Sequence, residues 1–293
     1  MMPPKLGIIA GNGELPGRII EACKQTGRPF FVVAFKDQTL PETVTGNDIP
    51  HAWVRLGAGG QAVKCLRDAG VKELVLAGGI RRPKMSALRP DTWMARFFAT
   101  HAVAMIGDDG LLSALVGVLE RDEGFRVVGA ESVLPDMLAA AGVYGVHAPD
   151  ERALKDIERG IKAAREVGGK DVGQAAVVEQ GRIIAVEGPE GTDAMLAWIA
   201  RRRRGKGAKR RYGGGDQHQS AGGVLVKVKK PGQESRADLP AIGVSTVETV
   251  TEAGLAGIAI EAGGTLVIDR EAVIEAADAA GLFVIGIPLA EDN

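Results

Sequence analysis

The chain is poor in the features that mark whole classes of protein. It has two cysteines, Cys23 and Cys65, too few for a disulfide framework and in keeping with a reducing cytoplasm. Charge of one sign is missing: 36 Lys+Arg stand against 37 Asp+Glu, a net charge of -1, which argues against a surface built as a whole for nucleic acid. Long hydrophobic runs are missing too. The stretch 282–287 is among the longest and falls far short of the ~20 residues of a membrane-spanning helix. Residues 1–10 lack the basic end and apolar stretch of a secretory leader, so none is expected. The four histidines, His51, His101, His147 and His218, are scattered singly, which argues against a zinc centre. The lack of a G-x-S-x-G motif weakens a serine hydrolase.

What is there is a globular composition, 45% hydrophobic and 25% charged, at a length that suggests about two domains. Glycine is in excess: 41 of 293 residues, about twice the ordinary share. The glycines follow expected strands and helices, where the backbone needs positive φ or must come close to a ligand. Residues 6–10 form a short apolar strand before Gly11-Asn12-Gly13-Glu14-Leu15-Pro16, followed by a helix over 18–25, Gly27 and a strand over 29–34. Such a strand–loop–helix–strand unit begins a parallel sheet. A helix over 61–68 and a strand over 73–76 then run into Ala77-Gly78-Gly79-Ile80. Two Gly-rich loops therefore share the carboxyl edge of the sheet, where open α/β sheets bind ligands. Asp108-Asp109 opens a helix over 110–119, and residues 135–149, bracketed by prolines, read as a linker.

Beyond the linker, Asp150 caps a helix over 151–167, and Gln180-Gly181 makes a two-residue hairpin turn. A helix over 192–199 precedes residues 201–220, dense in Arg and Lys and then in glycine, which read as a mobile solvated insertion. A strand over 224–228, a capping box at Ser245-Thr246-Val247-Glu248 and alternating strands and helices up to residue 287 complete the chain. The expected fold class is α/β. A Rossmann-like open sheet occupies 1–134, a linker 135–149 and a different α/β domain 150–293.

Four places carry residues suited to chemistry. Gly11-Asn12-Gly13 is part of a G-x-G-x-x-G fingerprint with Pro16 in place of the third glycine. It fits a phosphate- or sugar-binding loop or a plain structural turn, and Gly78-Gly79 leaves the same choice. Asp108-Asp109 suits a hard cation or a helix cap. The richest stretch is 227–240, with Lys227, Lys229, Lys230, Gln233, Glu234, Arg236 and Asp238 in one strand-and-loop element punctuated by Pro231-Gly232 and Leu239-Pro240. Cations followed by carboxylates suit phosphoryl chemistry, the cations neutralising phosphate oxygens while a carboxylate binds Mg²⁺ or places water. An exposed mixed-charge loop is the plain alternative. The hairpin brings Asp171-Val172-Gly173-Gln174 towards Glu187-Gly188-Pro189-Glu190-Gly191-Thr192-Asp193, where Thr192 or Asp193 also suits a helix cap. Two other functions compete. A dinucleotide-dependent oxidoreductase would use Asp37 as its acidic residue. A nucleic-acid module would use 201–211, where Tyr212 alone offers stacking; the same basic stretch suits anionic lipid headgroups.

Longer motifs carry a family resemblance. These are Gly7-Ile8-Ile9-Ala10-Gly11-Asn12-Gly13-Glu14-Leu15-Pro16, Asp171-Val172-Gly173-Gln174, Ala185-Val186-Glu187 and Glu190-Gly191-Thr192-Asp193-Ala194-Met195-Leu196. With them go Lys230-Pro231-Gly232-Gln233, Asp238-Leu239-Pro240-Ala241-Ile242-Gly243 and Ala253-Gly254-Leu255-Ala256-Gly257-Ile258. Together they resemble the LpxI-type UDP-2,3-diacylglucosamine pyrophosphatases of lipid A assembly, over nearly the whole chain. The resemblance implies two domains of unlike fold with the ligand in a chamber between them. It implies Mg²⁺-dependent hydrolysis, with Mn²⁺ as a substitute, giving UMP and 2,3-diacylglucosamine 1-phosphate (lipid X), without nicotinamide or flavin. The family's essential aspartate falls on Asp238, and Lys227 and Gln233 join it as catalytic residues. Substrate contacts are expected from Gly11, Asn12, Gly13, Leu15, Gly78, Gly79, Gln174, Glu190, Gly191, Thr192, Asp193, Lys229, Lys230 and Arg236, and metal ligation from Asp238 and Asp193. The implied protein is cytoplasmic, bound peripherally to the inner face of the inner membrane, free of nucleic acid and open to homo-oligomer formation. The basic stretch 201–220 is longer and more charged than the family pattern.

Overall fold

The computed structural model describes residues 3–45, 48–81, 88–101, 108–205 and 222–289, without the side chains of residues 108, 109 and 205. The chain divides into two compact units, Met1–Pro135 with Glu234–Asp238, and Asp136–Gln233 with Leu239–Asn293.

In the first unit five strands, β1 (Leu6–Ala10), β2 (Phe30–Phe35), β3 (His51–Val54), β4 (Glu73–Ala77) and β5 (Arg126–Val127), run parallel in the order β3-β2-β1-β4-β5. Leu6, Ile8, Val32, Val33, Leu74 and Val75 are fully buried, the near-continuous apolar pattern of a sheet covered on both faces. Its helices are α1 (Leu15–Thr26), α2 (Gly59–Asp68), α3 (Thr92–Thr100) and α4 (Asp108–Arg121). Leu66, Val116 and Leu119 from these helices close one core cluster with Val33 and Leu74. The sequence gives little sign of β3 and α3. β3 is four residues long and only Val54 in it is buried. α3 begins at Asp91, whose Oδ1 accepts from the Met94 amide at 2.8 Å while Oδ2 accepts from the Gly60 amide at 2.8 Å. One carboxylate thus caps two helices, an arrangement that spacing does not reveal.

The second unit contains β6 (Gly142–Tyr144), α5 (Glu151–Gly168), β7 (Ala175–Glu179), β8 (Arg182–Val186), α6 (Thr192–Gly205), β9 (Val224–Lys227), β10 (Ala241–Ile242), α7 (Val244–Glu252), β11 (Gly257–Glu261), β12 (Leu266–Val267), α8 (Arg270–Ala280) and β13 (Phe283–Ile287). Six of the strands form a sheet in the order β6-β13-β11-β9-β7-β8. It is parallel through β13, β11 and β9 and antiparallel at β6, β7 and β8. Alternation along the strands sorts the core into two layers. Val224 and Val226 join Ile157 and Ala164 of α5, while Leu225 joins Leu196, Val250 and Val273 of α6, α7 and α8.

The expected hairpin is present. Gln180 and Gly181 both have positive φ, 50° and 71°, as a type I′ turn requires. Asp150 caps α5 by accepting from the Ala153 amide at 2.7 Å. Three expectations need correction. The span 135–149 contains β6, held by pairing with β13 that no local periodicity announces. Helix α6 does not stop at residue 199 but runs to Gly205. Arg203 fixes that last turn by donating to the carbonyls of Gly254 and Gly222 and pairing with Glu179 at 3.2 Å, so 201–204 is helix; residues 206–221 lie outside the described residues. The cap of α7 is Gly243, whose amide donates to Thr246 Oγ1 at 3.3 Å, and not Ser245. The side chains of Asp108 and Asp109 likewise fall outside the description.

The loops after β1 and β4 are paired through their backbones. The Gly11 amide donates to Ala77 O and the Asn12 amide to Gly79 O, both at 2.7 Å, and the Gly79 amide returns a bond to Asn12 O at 3.1 Å. Gly78 has φ 85°, and a Cβ there would lie 2.3 Å from Asn12 O. Gly13 has φ 93° but open space around it. Gly13→Ala should therefore cost only backbone strain, about 1 kcal/mol, whereas Gly78→Ala adds a backbone collision and should cost at least about 3 kcal/mol. Urea denaturation of the two variants measures the difference; equal midpoints would show that the paired loops give way freely.

Candidate active site

In the first unit β1 and β4 are the neighbours at which the strand order reverses, the place where open α/β sheets bind ligands. The structure brings Gly11, Asn12, Gly78 and Gly79 together there. Gly11 and Gly78 are needed for that pairing itself, because a Cβ on Gly11 would lie 2.5 Å from Gly79 O. Gly13 and Gly79 face open space. Leu15 begins α1 after Glu14 as N-cap, with Pro16 at its start and no side chain capping it, so the Leu15 and Gly17 amides lie at the positive end of the helix dipole. The loop is held from below by Thr39, whose hydroxyl donates to Ala10 O at 2.6 Å and accepts from the Phe35 amide at 2.8 Å. Asp37 is exposed, two residues past the end of β2.

In the second unit one sheet edge collects most of the other expected residues. The carboxyl ends of parallel β9 and β11 meet the start of antiparallel β7 and the end of β8. Lys227 ends β9, is 9% exposed, and donates from Nζ to Ala241 O at 2.9 Å. Lys230 is 8% exposed, with Nζ 2.7 Å from Asp171 Oδ1. The Lys230 amide donates to Gln233 Oε1 at 3.2 Å, and the Lys229 amide to Glu261 Oε2 at 2.8 Å. Buried ammonium groups persist where oxygens receive them, and these two do. Glu187 is buried and joins two segments: Oε2 accepts from the Gln174 amide at 2.9 Å, Oε1 from the Thr192 hydroxyl at 3.0 Å. Gln174 Oε1 is buried with no partner among the described residues. Glu190 and Asp193 are exposed, and Gly191 precedes α6 with φ 88°. Asp171, already marked by the 171–174 cluster, gains Lys230 as its partner, and Glu261 is an addition to the expected set. Glu261 ends a strand that the sequence reveals, so its place at a carboxyl edge was the available signal. No cluster of three or more His, Cys, Asp or Glu suited to a metal occurs among the described residues.

The turn Glu234–Asp238 belongs to the first unit. Its Ala237 and Asp238 amides donate to Glu234 O at 2.9 and 3.0 Å. Arg236 grips Glu234 with two parallel bonds, Nε to Oε1 at 2.9 Å and Nη2 to Oε2 at 2.8 Å, and reaches Glu120 Oε1 with Nη1 at 2.8 Å. The Arg236 guanidinium holds the Glu234 carboxyl below its usual range, and the hydrogen bond from Arg236 to Glu234 raises Arg236 further above its own. A carboxylate whose folded pKa lies below its unfolded value stabilises the fold above the unfolded pKa and loses that contribution as pH falls through the folded one. Stability should therefore decline on acidification through the carboxylate range, and Glu234→Gln should flatten that decline. Urea midpoints between about pH 6 and about pH 3 test this; identical acid limbs would remove Glu234 from the account.

Known proteins bear on this arrangement. The family model "LpxI N-terminal domain" matches residues 5–137, and "LpxI C-terminal domain" matches residues 140–285. The chain is 42% identical over 287 residues to the UDP-2,3-diacylglucosamine pyrophosphatase LpxI of Caulobacter vibrioides, covering 97% of both proteins. Among solved structures, N5-carboxyaminoimidazole synthase of Aspergillus clavatus, in complex with ADP and 5-aminoimidazole ribonucleotide, aligns at 12% identity over 64% of this chain and 41% of that one, with a TM-score of 0.24. The carboxyaminoimidazole ribonucleotide synthase of the same organism, complexed with ATP, aligns at 11% identity over 62% and 39%, with a TM-score of 0.21. Both scores are too low to bear on the fold. The two family models together span residues 5–285 and the identity runs over nearly the full length, so the chain belongs to the LpxI family.

Proposed function

We propose that this chain hydrolyses the diphosphate of UDP-2,3-diacylglucosamine, giving UMP and 2,3-diacylglucosamine 1-phosphate. The observation that carries the reading is the 42% identity over 97% of both chains to a protein named for that activity. The lysines, glutamine and carboxylates that follow one another along 227–238 support it, because a diphosphate needs cations for its oxygens and a carboxylate for water or metal.

Mg²⁺ suits this donor set. The ion is commonly held by one or two carboxylates together with substrate phosphate oxygens and water, so the lack of a three-ligand cluster among the described residues does not conflict with it. A carboxylate such as Asp238 would help to hold it, and when bound it would supply positive charge against the charge growing on the diphosphate. Asp238 orients water or metal, Lys229 and Lys230 steady the phosphates, and Lys227 and Gln233 keep the strand end and turn in place. Peripheral attachment to an anionic membrane face fits the end of α6, where Trp198 is 42% exposed with the Arg202 guanidinium 5.2 Å from its ring centroid, and Arg201 and Arg204 are exposed. No helix among the described residues is long and apolar enough to cross a membrane.

Incubation with UDP-2,3-diacylglucosamine and Mg²⁺ should release UMP, and EDTA should abolish the release, with Mn²⁺ restoring it. Full activity after exhaustive chelation would remove the metal, and no UMP under any condition would remove the reaction.

Asp238→Ala should lower kcat by at least about a hundredfold while substrate still binds, because an oriented carboxylate acts mainly on the transition state. Mass spectrometry of lipid retained by the purified variant should find uncleaved substrate. Turnover near that of the unaltered protein would end the assignment of Asp238.

A further inference from the structure

We propose that Glu120, on helix α4, is a positioning residue for this reaction, holding through Arg236 the turn that carries Asp238. The inference rests on the reading of Asp238 as catalytic. Glu120 is itself held in place: its Oε1 accepts from the Val127 amide of β5 at 3.1 Å as well as from Arg236 Nη1 at 2.8 Å. The other edge of the guanidinium is occupied by both oxygens of Glu234. The planar group therefore bridges a carboxylate fixed on the first unit and a carboxylate inside the turn, and such forked contacts set orientation as well as distance. Ala237, next to Asp238, packs against the core cluster that contains Val116 and Leu119 of the same helix. Polar and apolar attachments thus bind one five-residue turn, Glu234–Asp238, to the first unit.

Glu120 and Arg236 are 30% and 40% exposed in their side chains, and partly exposed pairs add little to overall stability. The contact matters instead through position, since an error near 1 Å in a reacting group can cost about a hundredfold in rate. Glu120→Ala should then reduce kcat about tenfold to a hundredfold, with KM nearly unchanged and the protein still folded under assay conditions. Glu120→Gln keeps an oxygen for both donors and should recover most of the rate. In an Asp238→Ala background, Glu120→Ala should cause no further loss, because the two act as one unit. Hydrogen exchange at the Ala237 and Asp238 amides should speed up in Glu120→Ala whatever the activity. Unchanged exchange, an unchanged kcat, or an equal loss with and without the Asp238 carboxylate would overturn the role of Glu120 alone. A full-length protein that releases no UMP would instead overturn the reaction reading, and this inference with it.

Discussion

Asp156 on α5 accepts the amides of Gln180 at 2.9 Å and Gly181 at 2.6 Å through its two oxygens, and so holds the β7–β8 hairpin turn to the helix beneath it. The same device recurs in both units. Asp91 joins the starts of α2 and α3, Glu187 joins the segments before β7 and at α6, and Glu120 joins β5 to Arg236. An α/β chain with many short loops leaves many loop amides without ladder partners, and those away from water must find acceptors. A carboxylate offers two oxygens and no donor, and a hydrogen bond to a charged group contributes about 1.5–3 kcal/mol. Asp91, Asp156, Glu187 and Glu120 are acidic residues that serve as joints of the loops.

This has a consequence for the lysines of the second sheet edge. Lys227 and Lys230 do not wait in solvent for an anion; their ammonium groups lie on Ala241 O and Asp171 Oδ1. Charges set in place in this way need little reorganisation as negative charge develops nearby.

The sequence exposes the elements whose signals are local. The β1 loop, the Gln180-Gly181 turn, the Asp150 cap and the strands ending at Lys227 and Glu261 all follow from apolar runs, turn residues and caps within a few positions. β6, the double cap by Asp91 and the last turn of α6 depend on partners far along the chain: β13, the Gly60 amide, and Glu179 with Gly254. For the candidate site, residue types and the stretch that holds them are legible, but engagement is not. Gly11 and Gly78 serve a backbone contact between two loops, and Arg236 is bound by two carboxylates, one of them 116 positions away. Composition cannot distinguish a cation that awaits a ligand from one that fixes a turn.

The stretch 227–240 shows where linear division of the chain stops being physical. The C-terminal family model covers it without a break, and it reads as one strand and loop. In the structure Lys227, Lys230 and Gln233 belong to the second unit, while Glu234–Asp238 belongs to the first. Pro231 and Pro240 fix φ at their own positions on either side of Glu234–Asp238. A C-terminal fragment beginning at residue 136 would contain every candidate residue from Lys227 to Asp238, yet would lack Glu120 and the core cluster against which Ala237 packs. The fixing of the Glu234–Asp238 turn is therefore legible only in the complete chain, because the residues that hold it, Glu120 and the cluster around Ala237, lie more than a hundred positions before it.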